Sequence, residues 1–121
     1  MAEIELPPQA QQILMQLQTF QQQLNNVSLQ KEGLNVQNLE LERALEELKK
    51  AKDGEEVYKA VGPILIKSTK KELEKELREK KETADVKLKS LDKQEAKLKE
   101  KLKESQDKFH EFLKASEKSA G

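Results

Sequence analysis

The stretch EVYKAVGPILIK, Glu56–Lys67, decides how this 121-residue chain is organised. It is rich in β-branched residues and is broken in the middle by Gly62-Pro63. Two short apolar runs around a turn signal predict a β-hairpin. An isolated two-stranded hairpin is marginal in water, and its outer edges present unpaired backbone N–H and C=O groups. Val57, Tyr58, Ala60, Val61, Ile64, Leu65 and Ile66 populate both faces. The ends of two helices offer too little apolar surface to cover both. The hairpin is therefore expected to pair with hairpins of other subunits and to act as an assembly platform. A two-residue loop would put Pro63 at a position that many turns disfavour, so a wider turn is expected.

Outward from the hairpin, both flanks read as long helix. Pro7-Pro8 opens the first, because proline fits the first helical turn and little else in a helix. From there to Lys52 the only glycine is Gly33. Ile13, Leu17, Phe20, Leu24, Val27, Leu34, Leu41, Leu45 and Leu48 follow spacings of four and three, and Lys31 and Asn38 fill the two vacant slots. That 3.5-residue period is the seam of a left-handed coiled coil. Lys52-Asp53-Gly54 ends the helix, with Gly54 as a left-handed cap.

Downstream, Thr69-Lys-Lys-Glu72 has the capping-box pattern and places the second helix start at Lys70. Its seam is Leu73, Leu77, Ala84, Leu88, Leu91, Leu98, Leu102, Phe109 and Phe112, with a 4-4 step between Leu77 and Leu88. Helices of matched length joined by a short connector fold back on each other. The fold class is mainly α: two long helices in an antiparallel coiled coil joined by one β-hairpin. The single domain divides into helix 1 (8–52), hairpin (55–68), helix 2 (70–115) and a flexible tail (116–121), with residues 1–6 a frayed start. Paired residues have numbers that sum to about 122, so Ile13 faces Phe109 and Leu24 faces Leu98. The hairpin and the meeting point of the two chain ends lie at opposite ends, roughly 65 Å apart for a helix of about 45 residues.

Composition narrows the function. Charged residues make up 38% and aromatics 3%, with a mean hydropathy of -0.90. Such a chain solvates most of its surface and buries a narrow seam; the sustained repeat argues against disorder. Zero net charge and the lack of a basic stripe argue against nucleic acid. No apolar run approaches the length of a membrane span. The start MAEIELPPQA lacks the basic and apolar regions of a signal peptide, so the expected location is cytoplasmic. There is no cysteine and one histidine, His110, so no ordinary zinc site and no cofactor are expected. None of the four glycines belongs to a phosphate-cradling loop. The carboxylates lie along helix faces among lysines, with no cleft to tune their pKa values. The chain is not expected to be an enzyme.

What remains is the end where the termini meet. From Pro7 to Gln30 there is no charged residue, and nine of those residues are glutamine. There Ile13, Leu14, Met15, Leu17 and Phe20 come together with Phe109, Phe112 and Leu113. Leu14, Met15 and Leu113 lie off the seam, so the cluster is larger than a two-helix seam needs. Phe and Met offer adaptable, non-directional contacts. These eight residues are the expected binding tip.

The order long helix, VYKAVGPILIKSTKKELEKEL, long helix, with its glutamine-rich uncharged start, resembles the beta-class subunits of prefoldin, of the archaeal type. The hairpin and the following KELEKEL are the specific part of a likeness that covers residues 7–115. The resemblance implies a hexamer of two alpha-class and four beta-class subunits, whose hairpins form a double β-barrel platform. It implies an ATP-independent holdase that captures non-native client proteins at coiled-coil tips and delivers them to a group II chaperonin. The hairpin residues Val57 to Ile66 would then serve assembly, and the tip residues client binding. From the residues alone, a structural coiled-coil adaptor binding one defined partner through its tip is the alternative.

Overall fold

A computed structural model of the chain describes residues 6–120. The frayed start expected for residues 1–6 falls, Leu6 apart, outside the described residues, as does Gly121 of the expected tail. The element order is α1 (Pro8–Lys50), β1 (Val57–Val61), β2 (Ile64–Ser68) and α2 (Lys70–Ala120). Pro8 is the first helical residue, as its fixed φ favours. α2 continues past the end expected at Ala115. The reason is local, since Ser116 to Ala120 hold neither glycine nor proline to stop it.

The chain divides into two compact units. One pairs the first part of α1, up to Gln30, with α2 from Leu91 onward; the other holds Lys31–Ser90 with the hairpin. In the first, the early stretch of α1 packs on the late stretch of α2; in the second, the late stretch of α1 packs on the early stretch of α2, so the helices are antiparallel.

In the hairpin-bearing unit, Leu41, Leu48, Leu73 and Ala84 are buried and Leu34, Leu45, Leu77 and Leu88 half-buried. Polar seam residues set the register. Asn38 Nδ2 donates to Asp85 Oδ1 across the seam at 2.8 Å. Lys81 Nζ lies 3.5 Å from Glu42 Oε1 and 3.4 Å from Asp85 Oδ2. The hydrogen bond to Asp85, and then its charge, hold the Lys81 ammonium above its ordinary pKa. Asn38 Oδ1 is buried without a partner, a cost that a register-fixing polar residue carries in a coiled coil. The numbers of both cross-helix pairs sum to 123, so Leu41 lies opposite Lys81, as the spacing predicts.

In the other unit, Ala10, Ile13, Val27, Leu91 and Ser105 are buried. Phe20, Leu24, Leu98, Leu102, Phe109 and Phe112 are half-buried. Small residues recur opposite large ones: the register sets Ala10 against Phe112 and Ser105 against Leu17. Lys81, Glu95 and Ser105 occupy α2 seam positions that the apolar pattern left blank, and they complete its alternation of four and three. The one irregularity is the run Leu73, Leu77, Lys81 with two steps of four, which eases the supercoil locally.

The two helix ends beside the hairpin are met by side chains. Thr69 Oγ1 accepts from the Glu72 amide at 3.2 Å, as the capping pattern predicts. The Glu72 carboxylate is met by Ser68 Oγ rather than returning to the cap backbone. At the C-terminus of α1, Lys70 Nζ donates to the Ala51 carbonyl at 2.8 Å and the Lys49 carbonyl at 3.4 Å. An ammonium is thus placed on carbonyls that a helix end leaves open. Gly54 has φ +83°, but it is not the helix cap expected. It is the third residue of a Lys52–Glu55 turn closed by the Glu55 amide on the Lys52 carbonyl at 3.0 Å, where a positive φ favours glycine.

Gly33 is different. It lies inside α1 with an ordinary φ, and a Cβ there would meet nothing within 4 Å. Gly33→Ala is expected to stabilise the chain by about 1 kcal/mol, the helix-propensity difference. Urea unfolding would check this, and an unchanged midpoint would refute it.

Candidate functional site

The hairpin register pairs Val57 with Ser68, Tyr58 with Lys67, Lys59 with Ile66, Ala60 with Leu65 and Val61 with Ile64. The loop is therefore only Gly62-Pro63, tighter than expected. Gly62 has φ +56°. A positive φ at the first central position, followed by a φ near −65° enforced by proline, is the pattern of a type II′ turn. Glycine before proline removes the clash that makes Pro63 look misplaced.

This register sorts the side chains. Val57, Lys59, Val61, Ile64, Ile66 and Ser68 share one face; Tyr58, Ala60, Leu65 and Lys67 share the other. The base of the first face sits over the helix ends, where Lys59 Nζ reaches Glu76 Oε1 at 3.3 Å. A cleft of about 690 Å³ lies there, lined by β1 together with Ala44, Leu48, Ala51, Leu73 and Leu77. Towards the turn, Val61, Ile64 and Ile66 are open to solvent. On the second face Leu65 is 72% exposed. Its base is polar, with Lys67 Nζ at 3.0 Å and Tyr58 Oη at 2.9 Å both donating to the Glu56 carboxylate. Lys67 first, then Tyr58, hold that carboxyl below its ordinary pKa.

Only two strands pair among the described residues, so both edges of this sheet are free. Around a two-residue turn, Val61–Ile64 and Lys59–Ile66 are the hydrogen-bonded pairs. Tyr58 and Ala60 on one edge, and Leu65 and Lys67 on the other, then turn their backbone groups outward. The hairpin thus combines an exposed apolar surface with open edges, two features that protein surfaces rarely leave uncovered.

In the unit formed by residues up to 30 and from 91 onward, the eight tip residues have different exposures. Ile13 is buried at the seam; Leu17, Phe20, Phe109 and Phe112 are half-buried along it. Leu14 is half-buried beside it, while Met15 and Leu113 are 68% and 40% exposed. Leu14 and Leu113 hold the same flanking position of their heptads, and Met15 is the next residue outward. These three therefore lie on one flank.

One heptad along that flank is a groove of about 440 Å³. Its floor is Leu17 and Leu102, and its walls are Gln18, Gln21, Gln22, Asn25 and Gln106, with no charged residue among them. A groove of about 340 Å³ on the opposite flank, over Val27 and Leu98, is walled by amides on α1 but by Lys97 and Lys101 beside Gln94 on α2. Neither groove was legible from the seam pattern. The available signal was Gln106, an uncharged residue in a stretch of α2 dense with Lys and Glu. The pattern also passed over Leu29, Val36, Leu39 and Val86, exposed apolar residues on the outer helix faces.

Among the described residues no cluster of His, Cys, Asp or Glu could hold a metal ion. No described helix is long and apolar enough to cross a membrane.

The sequence matches the family model described as prefoldin subunit over residues 11–116. The chain is 48% identical over 109 residues to prefoldin subunit beta of Archaeoglobus fulgidus, covering 90% of this chain and 94% of that protein. It is 43% identical over 109 residues to prefoldin subunit beta of Thermococcus onnurineus, with the same shares covered. The crystal structure of the prefoldin beta subunit from Thermococcus strain KS-1 has a similar fold, with a TM-score of 0.80 at 42% identity, covering 88% of this chain and 94% of that one.

Proposed function

Because the chain belongs to the prefoldin subunit family, alongside archaeal beta subunits, we propose that it is an ATP-independent holdase subunit that captures non-native proteins at its coiled-coil tip. Its role is that of a chaperone subunit rather than an enzyme. In this proposal the hairpin residues Val57, Tyr58, Ala60, Val61, Ile64, Leu65 and Ile66 join it to alpha-class partners in a hexamer of two alpha and four beta subunits. The assembly passes its clients to a group II chaperonin.

The observation that carries the capture step is the flank on which Leu14, Met15 and Leu113 lie beside the uncharged stretch of α1. An apolar surface exposed on a solvated helix pair is available to bind the apolar segments that a non-native chain exposes. Its lack of charge imposes no sequence requirement on the client. Capture needs no nucleotide, since it requires only apolar burial.

The test replaces Met15 and Leu113 by aspartate. Both are exposed, so the seam stays intact. Capture of a denatured client is expected to weaken about tenfold, corresponding to about 1.4 kcal/mol of lost contact. Aggregation of denatured citrate synthase, followed by light scattering, gives the readout. Undiminished suppression by the doubly substituted assembly would exclude these residues as the capture surface.

A further inference from the structure

The groove walled by Gln18, Gln21, Gln22, Asn25 and Gln106 has a chemistry of its own. A solvated helical face is ordinarily built from Glu and Lys, and the α2 stretch of the same unit is built that way. The α1 stretch from Pro7 to Gln30 contains neither, in a chain that is 38% charged. The α2 residue that walls this groove, Gln106, is again an amide. A carboxamide both donates and accepts and carries no charge. It complements a ligand of the same kind and gains nothing against phosphate, lipid headgroups or acidic peptides, which would select Lys and Arg.

The spacing fits an extended chain. Gln18, Gln21, Gln22 and Asn25 fall at i, i+3, i+4 and i+7, on one face of α1. They span about 10.5 Å of helix, the length of about three extended residues. Gln21 Nε2 already donates to Asn25 Oδ1 at 3.1 Å. That bond orients both amides before a ligand arrives and lowers the entropy lost on binding. The half-buried floor of Leu17 and Leu102 has room for small apolar side chains.

We propose that this groove binds the main chain of an extended, non-native polypeptide through side-chain amides, next to the apolar capture patch. The inference rests on the holdase function and adds a second recognition element to it. Apolar residues take whichever hydrophobic side chains a client offers; the amides take its backbone, which every unfolded chain exposes.

Gln18→Met, Gln21→Met and Gln22→Met together keep the side-chain length, favour helix, remove the amides and add apolar surface. The opposing models then differ in sign. The probe is fluorescently labelled, reduced and carboxymethylated lactalbumin, titrated with the assembled hetero-oligomer and followed by anisotropy. The Kd is expected to rise about tenfold, the effect of two or three neutral hydrogen bonds. Alanine at the same three positions, which adds no apolar surface, is expected to weaken binding as well. A Kd that is unchanged or tighter in the methionine variant, or unchanged in the alanine variant, overturns the amide groove while the holdase function stands. Failure of the unsubstituted assembly to bind the probe overturns both.

Discussion

Ile64→Lys combined with Ile66→Lys is expected to abolish assembly while leaving the helices folded. Both side chains are open to solvent, on the same hairpin face as Val61. In the isolated chain the two ammonium groups would remain hydrated, so the substitutions cost it little. In an assembly that covers this face they would be desolvated without partners, at several kcal/mol for each charge. The turn and the register would survive, because Gly62-Pro63 and the Val61–Ile64 pair are set by the backbone. Size-exclusion chromatography with light scattering, after mixing with an alpha-class subunit, should show the mass of separate chains. Circular dichroism should show unchanged helicity. An assembly of unchanged mass would rule out this face as the platform. Leu65→Lys makes the same comparison for the opposite face, on which Leu65 is the most exposed apolar side chain.

The hairpin and the helices were legible because each is written in a period. The two apolar runs around Gly62-Pro63 could form no amphipathic helix, and the four-and-three spacing of α1 admitted only a seam. Thr69 and Glu72 marked the start of α2, and Thr69 caps it. Sequence reasoning faltered where a position is polar yet still lies at the seam. Lys81, Glu95 and Ser105 look like surface residues until α1 is laid opposite. A long aliphatic stem or a small side chain can fill a layer that an apolar count leaves empty. The turn was misjudged because proline was weighed apart from the glycine before it. Among the tip residues, the pattern separates seam from off-seam positions but not one flank from the other. Gln16 and Gln23 on one flank read no differently from Gln18 and Gln21 on the other. Only the partner helix separates them: α2 sets an amide on each side, Gln106 and Gln94, but adds Lys97 and Lys101 on one of them.

Removing residues 1–20 and 109–121 is expected to abolish suppression of client aggregation while the hairpin still assembles. The deletion takes out all eight tip residues, and with them the seam layers of Ala10 with Phe112 and Ile13 with Phe109. It also removes Leu17 and Phe20, leaving Ser105 and Leu102 without the residues opposite them. Each large apolar side chain lost from the seam withdraws roughly 1.5–3 kcal/mol of burial, so the shortened chain should melt at a lower temperature. The unit of Lys31–Ser90 loses nothing, since Leu41, Leu48, Leu73 and Ala84 remain buried there. The Asn38–Asp85 bond that fixes its register is also retained. Light scattering should therefore report an assembly built from the shorter chains, and helicity per residue should be kept. If the shortened assembly still held denatured clients in solution, capture would have to lie with the remaining amides Gln21, Gln22, Asn25 and Gln106 or in the hairpin-bearing unit. Its exposed Leu65 and the cleft beneath β1 would then be the next surfaces to test. Loss of suppression together with loss of assembly would instead mean that the two tasks share residues. The hairpin's free edges and the tip's uncharged flank argue against that, because neither contributes a residue to the other.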